Sequence, residues 1–159
     1  GLLLSASEVP EPWKRYVGED ENGVCICLTD EVRVTQADVR KIQLAKAPIA
    51  AGIQILLQEK DWKIKDIDQV ILAGGFGSYM RKESAAEIGL IPKELVKCTH
   101  SVGNAAGEGA VSAALASEAR TELEQLQKQM RYVELSTHEA FSDIFIREMS
   151  FTNSYMRSE

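Results

Sequence analysis

The spacing of apolar residues in the first third of the chain predicts a β-hairpin followed by one long helix. Two β-prone runs, at 24–28 and 32–34, are separated by a short polar turn, as in a hairpin. Thr35 and Asp38 have the spacing of a capping box, and apolar residues recur behind them at helical intervals. We therefore predict an amphipathic helix that continues to about residue 59, with a kink at Pro48.

The rest of the chain alternates between short strands and helices. The pattern predicts a strand at 69–73, a short helix at 82–88 and a second strand at 97–102. A helix is expected to begin after Asn104 and to reach about Met130, either continuously or with a break. A last strand is predicted at 132–135. Ser136 and Glu139 then have the spacing of a capping box before an apolar helix.

This order of elements predicts an α/β fold in which a mixed sheet has an antiparallel hairpin edge and helices on both faces. We expect one α/β domain at 22–150. An irregular connection is predicted at 1–21, where Pro, Glu, Asp and Gly are frequent, and a disordered tail at 151–159.

A glycine-rich segment follows the predicted strand at 69–73. The apolar run Val70–Leu72 is expected to be buried on both faces, as strands inside parallel sheets are. Gly74, Gly75 and Gly77 allow the backbone to bend sharply and a ligand to lie against it. A position beyond the carboxyl end of such a strand favours a nucleotide phosphate. An equally good interpretation of these residues alone is a glycine turn that packs a helix close to the sheet.

Two familiar phosphate-binding motifs are absent from the sequence. The dinucleotide fingerprint fails because Met80 stands where its third glycine would be, and no Walker sequence occurs. A second small-residue junction lies at Gly103 and Asn104, which precede a helix start made of Ala and Gly. By itself this junction favours close helix packing over a ligand. Two such junctions in one sheet nevertheless favour a ligand cleft.

Composition narrows the classes of partner and compartment. The 159 residues carry a net charge of −6, which argues against nucleic acid or an anionic membrane as a partner. Three cysteines do not form a disulfide framework, so a reducing cytoplasm is expected. Because the chain begins with Gly1 rather than Met, we expect a fragment of a longer protein.

The cysteines and acidic residues give no strong prediction of a metal site or of catalysis. Cys25 and Cys27 would share one side of a strand, as would Cys98 and His100, and four such ligands could hold zinc. Their spacing is unlike that of zinc knuckles, so buried cysteines without metal are the favoured interpretation. No pair of acidic residues has the spacing of an acid–base couple. The sequence therefore assigns no catalytic residue.

In its ordered series of motifs the chain resembles the C-terminal part of the ATP-dependent reductive activators of corrinoid proteins. These are iron–sulfur proteins with a domain of the acetate and sugar kinase, heat-shock chaperone and actin superfamily. The matching segments lie at 34–40, 43–46, 51–53, 71–77, 83–85, 88–92, 102–107 and 132–138. The chain departs from the pattern at Pro48 and at residues 80–82, where Met-Arg-Lys replaces an expected Asp or Asn and Pro.

The resemblance implies a ribonuclease-H-like fold and an ATP site. It carries the superfamily's adenosine motif onto Gly74, Gly75, Gly77 and Ser78, with Gly103 and Asn104 as further candidates at the next strand end. It also implies magnesium-ATP as cofactor, and a [2Fe-2S] cluster in the parent protein that lies outside this chain.

The resemblance names partners as well. It implies a corrinoid protein as partner and a homodimer of the parent as a possibility. Lacking the other half of the superfamily's clamp, the fragment alone is expected to hydrolyse ATP poorly or not at all. The alternative is a non-catalytic domain that docks the corrinoid protein or pairs subunits and whose nucleotide loop is vestigial.

Overall fold

A computed structural model of the chain describes residues 9–21 and 23–151. It begins with a short helix α1, Glu11–Lys14, and a three-stranded antiparallel sheet of β1 Val17–Asp20, β2 Gly23–Cys27 and β3 Arg33–Val34. The predicted hairpin is therefore confirmed as β2 and β3. The segment 9–21 was expected to be irregular, but it contains α1 and β1. Gly18 permits this pairing, because a Cβ there would lie 2.6 Å from Cys27 Sγ.

Helix α2, Gln36–Lys60, confirms the long helix that the capping box predicted. The Thr35 hydroxyl accepts from the Asp38 backbone N–H at 3.3 Å, and the Asp38 carboxylate accepts from the Thr35 backbone N–H at 3.1 Å. The Thr35 hydroxyl also donates to the Asp38 carboxylate at 2.7 Å. The two bonds that this carboxylate accepts from Thr35, first from its hydroxyl and then from its backbone, hold the pKa of Asp38 below its usual range. Pro48 lies inside the helix, and Asp61 ends it in the left-handed conformation, with φ +52°.

A separate two-stranded parallel sheet lies further along the chain. Strand β4, Val70–Leu72, pairs with β5, Thr99–Ser101, in a register that places Val70 beside Thr99. The prediction of one mixed sheet is therefore wrong for the described residues, because the hairpin and the parallel pair form two sheets. Ile71 is 59% exposed, so β4 is not buried on both faces as expected.

The helices around the parallel pair are short. Helix α3, Gly74–Tyr79, follows β4 directly, and α4, Lys82–Glu87, is followed by Gly89 with φ +74°. Single 3-10 turns or helices cover Ile64–Asp66, Lys93–Cys98 and Leu135–Thr137. After β5 come α5, Ala105–Leu115, and α6, Ser117–Gln129. Of the two predicted possibilities, a continuous helix or a broken one, the structure has the broken one, with the break at Ala116, whose backbone is extended with φ −132°.

The end of the described chain corrects two predictions. Residues 132–135 form no strand, because their apolar members Val133 and Leu135 pack on helices instead. The capping box of Ser136 and Glu139 does not form either. The Ser136 hydroxyl donates to the Glu134 carboxylate at 2.6 Å. The last helix, α7, Phe141–Glu148, begins after Ala140 without a side-chain cap.

Two clusters of buried residues make the core. One joins α2 to α7 through Ala51, Ile55 and Ile144. The other surrounds the end of α4, with Ala85, Ala86, Leu90 and Ile91. Neither cluster includes a residue of α5 or α6. No helix in the described ranges is both long and apolar enough to cross a membrane.

Candidate nucleotide site

The carboxyl ends of β4 and β5 meet in a corner formed by the two glycine junctions. The Val102 N–H donates to the Leu72 carbonyl at 3.0 Å, which extends the pairing beyond the strands. The Gly74 N–H then donates to the Gly103 carbonyl at 2.5 Å. Gly74 and Gly103 were predicted to share one end of a sheet, and this hydrogen bond places them side by side.

The backbone conformation requires a glycine at two positions of this corner and not at a third. Gly74 has φ +70° and Gly103 has φ +59°, a backbone region that residues with a Cβ rarely adopt. Both are therefore explained by the turn itself. Gly75 has no such conformation, and a Cβ added there would meet nothing within 4 Å. The described fold does not demand a glycine at 75, yet its side of the corner is open to a ligand.

The backbone amides of the corner are partly used by the protein. The Gly74 N–H donates to the Gly103 carbonyl and is therefore not available to a phosphate. The first amides of an α-helix have no acceptor within the helix. The amides that follow Gly74 at the start of α3 can therefore donate to a ligand. At α5 the Asn104 side chain caps the helix by accepting from the Gly107 N–H at 3.1 Å. Asn104 thus satisfies one amide in the first turn of its own helix.

The remaining predicted residues lie on α3 itself. Gly77 is in the helix, and the Ser78 hydroxyl donates to the Gly74 carbonyl at 3.3 Å, one turn back. Ser78 and Gly75 are both exposed. The helix ends at Tyr79, whose side chain is almost fully exposed. The structure therefore brings Gly74, Gly75, Gly77 and Ser78 together on α3 and its start, and Gly103 and Asn104 next to them.

None of the three cysteines belongs to the residues that form this corner. Cys25 and Cys27 share a side of β2, where both sulfur atoms approach Gly18, while the Cys98 thiol donates to the Leu95 carbonyl at 3.3 Å. No disulfide joins any two of them. In the part of the chain that the structure describes, no three His, Cys, Asp or Glu side chains are grouped so that they could hold a metal ion.

Sequence reasoning missed a buried ionic network between α2 and the end of α7. The side chains of Lys46 and Glu148 are 2% and 1% exposed, and their charged atoms lie 3.9 Å apart. The Lys46 ammonium donates to the Ser150 carbonyl at 2.6 Å, and the Gln54 amide donates to Glu148 at 2.5 Å. Burial lowers the pKa of Lys46, against the opposing effect of Glu148. No spacing in the sequence marks these residues, because they lie far apart along the chain.

A second missed cluster centres on Glu59 near the end of α2. Its carboxylate accepts from the Arg131 guanidinium at 2.7 Å and lies 3.5 Å from His138 Nε2. The other ring nitrogen of His138 accepts from the Ala140 N–H at 3.3 Å. In the neutral imidazole the proton therefore lies on Nε2 and faces Glu59. These contacts hold the His138 ring between Glu59 and the start of α7.

The fold and the corner define a class: an α/β domain in which two parallel strands end side by side on glycine turns that lead into helices. Comparison with known proteins makes this class specific. A family model described as the C-terminal domain of RACo, the ASKHA domain, matches residues 11–158, and the chain belongs to this family.

Two similar proteins agree with the family match. The corrinoid activation enzyme RamQ of Eubacterium limosum is 32% identical over 154 residues, which cover 91% of this chain and 26% of RamQ. A solved structure of a reductive activator for corrinoid, iron–sulfur protein superposes with a TM-score of 0.75 at 32% identity. The superposition covers 92% of the present chain and 25% of the chain in the solved structure. The chain thus spans about a quarter of the length of each relative.

Proposed function

We propose that this chain is the ATP-site subdomain of a longer reductive activator of a corrinoid protein. Both similar proteins carry names for corrinoid activation, and the family is an ASKHA domain. The observation that carries the nucleotide assignment is Gly75. Neither its backbone conformation nor a crowded neighbour accounts for a glycine there, whereas the close approach of a ligand would.

In this proposal the phosphates and sugar of magnesium-ATP lie against the backbone at Gly74, Gly75 and Gly77, with Ser78 beside them. Gly103 and Asn104 shape the second side of the corner. The parent uses ATP to drive an electron from a [2Fe-2S] cluster, which lies outside this chain, to the cobalt(II) corrinoid of its partner. This electron restores the cobalt(I) state needed for methyl transfer. The parent is cytoplasmic, and the 159 residues alone hydrolyse little or no ATP.

A second candidate function is a non-catalytic docking or dimerisation domain with a vestigial nucleotide loop. The hydrogen bond from Gly74 to Gly103 favours it, because this bond removes one amide from the donors available to a phosphate. In that case the corrinoid protein, or a second copy of the parent, would bind this domain without regard to nucleotide.

Titration of magnesium-ATP into the full-length parent tests the nucleotide assignment. The variants are Gly75→Ala and Gly75→Val, with Ala37→Val as the matched control. Ala37 is an exposed position in the first turn of α2, far along the chain from the corner. We expect the affinity to fall from wild type to alanine and further to valine, because each added carbon occupies space that the nucleotide needs. The control should bind as wild type does.

The same variants separate loss of binding from loss of folding. Gly75 lies in α3 with open space around it, so alanine should leave the domain as stable as wild type or slightly more stable. Equal ATP affinity in wild type and Gly75→Val would contradict the loop assignment. Capture of the corrinoid protein by the 159-residue chain, with no effect of nucleotide in the parent, would support the docking function instead.

A further inference from the structure

Helix α5 is apolar on most of its circumference and yet buries no residue in the described structure. Its polar side chains are Glu108 and Ser112, which are four residues apart and therefore share one narrow face. The Ser112 hydroxyl donates to the Glu108 carbonyl at 2.9 Å, so it needs no further partner. Val111 and Leu115 remain 58% and 83% exposed. A helix that is apolar nearly all round is typical of a protein interior.

Helix α6 has the opposite pattern, a single apolar stripe. Leu123, Leu126 and Met130 follow one another at helical spacing, and all three are exposed. Lys128 lies on the other side of the helix, among Glu and Gln residues. An amphipathic helix of this kind faces a core with one side and water with the other. In the described chain α5 and α6 pack mainly on each other, and the stripe of α6 is left uncovered.

The neighbouring parallel sheet also lacks cover. Parallel strands are normally covered on both faces, but Ile71 of β4 points to solvent and the sheet has two strands. Exposed apolar surface therefore extends over three consecutive parts of the described fold: the β4–β5 sheet, α5 and the stripe of α6. A partner that binds reversibly would cover one side of α5, not most of its circumference.

We propose that α5 and the apolar stripe of α6 form an internal interface, covered by the remaining part of the same polypeptide in the longer parent. The similar proteins are about four times as long as this chain, which covers 25–26% of their length. The proposal rests on the parent of the proposed function being such a longer activator. It does not depend on nucleotide binding. It makes α5, which begins directly after Asn104, the element that joins the glycine corner to the rest of the parent.

Thiol labelling in the full-length parent tests this interface. Cysteine is introduced by Val111→Cys on α5, by Leu126→Cys on the stripe of α6, and by Lys128→Cys on the opposite face of α6 as the matched control. The label at each introduced site is followed by peptide mass spectrometry, which separates it from the native Cys25, Cys27 and Cys98. We expect labelling at positions 111 and 126 to be at least about tenfold slower than at 128. This difference should not change when the protein is diluted.

Each other result has a definite meaning. Equal labelling at positions 111, 126 and 128 in the parent would overturn the proposal. Slow labelling at 111 and 126 that becomes fast on dilution would overturn it as well, because a second copy would then be the cover. If a variant does not fold, hydrogen exchange of the wild-type parent tests instead whether α5 is covered. Amides of α5 should then exchange as slowly as those of the buried segment of α2, and fast exchange in α5 would contradict the interface. Loss of ATP binding in the Gly75 variants would leave these results unchanged.

Discussion

The helix pair α2 and α7 differs from the pair α5 and α6 in what each buries within this chain. Helices α2 and α7 enclose Ile55 and Ile144 and a charged pair that is almost fully removed from water. Helices α5 and α6 bury no residue. The chain therefore contains one helix pair that encloses a buried core within the described residues and one helix pair that does not.

Helices α2 and α7 thus pack within this chain, whereas α5 and α6 are the helices that we propose to be covered by the rest of the parent. The glycine corner lies at the boundary, since α5 begins directly after Gly103 and Asn104. A nucleotide at the corner would contact α3 on one side and the start of the open helix pair on the other. Substitutions in the two regions should consequently have very different effects on the 159-residue chain, and the following predictions are ordered by size.

The largest effect is expected from Lys46→Met. It removes one member of a buried pair and leaves the Glu148 carboxylate without its cation, which should cost about 3–5 kcal/mol in the free energy of unfolding. Urea denaturation of the 159-residue chain measures this cost. The double variant Lys46→Met with Glu148→Leu should recover most of it, because no buried charge is then left behind. A single variant as stable as wild type would show that this pair is not buried.

Ile144→Ala should follow, with a loss of about 2–5 kcal/mol, because it opens a cavity between α2 and α7. The matched control is Ile146→Ala on the same helix, whose side chain is 62% exposed and should matter little. Both are measured by the same denaturation experiment. Equal losses for the two variants would mean that α7 is rotated about its axis from the described position.

Thr35→Ala should cost about 1 kcal/mol, since it removes the cap of α2. It should also change the response to acid. The lowered pKa of Asp38 means that its contribution is present above the ordinary aspartate pKa, about 4, and is lost as the pH falls through the folded value. The variant should lose less stability than wild type over this acidic range. If the free energy of unfolding depended on pH in the same way in both proteins, the hydrogen bonds between Thr35 and Asp38 would be contradicted.

Leu115→Ala should have the smallest effect, within about 0.5 kcal/mol, because the leucine is exposed in the 159-residue chain. In the full-length parent the same substitution should destabilise this domain by an amount typical of a buried leucine. Hydrogen exchange of the α5 amides, measured for wild type and variant in the 159-residue chain and in the parent, makes this comparison. A large loss of stability in the 159-residue chain would mean that α5 is already packed there. The difference between the two helix pairs would then be wrong.

Features that depend on neighbours in sequence were predictable. The capping box of Thr35 and Asp38 fixed the start of α2, and the turn between residues 28 and 32 gave the hairpin. The glycines at 74 and 103 were expected at one end of a sheet, and the parallel pairing of β4 and β5 brings them there. In each case a short-range signal specifies the local backbone.

Features that depend on distant contacts were not predictable. The β-prone residues at 132–135 form no strand because Val133 and Leu135 pack on the α2–α7 cluster, which no local pattern announces. Strand β1 was missed because it is defined by its pairing with β2 rather than by its own composition. The partners of Lys46 and Glu148 could not be read from spacing. The hydrogen bond from the Gly74 amide to the Gly103 carbonyl could not be predicted either, because these residues are also far apart along the chain.

Hydrogen exchange of the full-length parent with and without saturating magnesium-ATP tests the nucleotide assignment most directly. If the nucleotide lies against this corner, the peptide that covers α3, from Gly74 to Tyr79, will take up deuterium more slowly when ATP is bound. The first turn of α2, which contains the control position Ala37, will not change. Protection by ATP elsewhere in the parent, with unaltered exchange from Gly74 to Tyr79, would contradict the assignment.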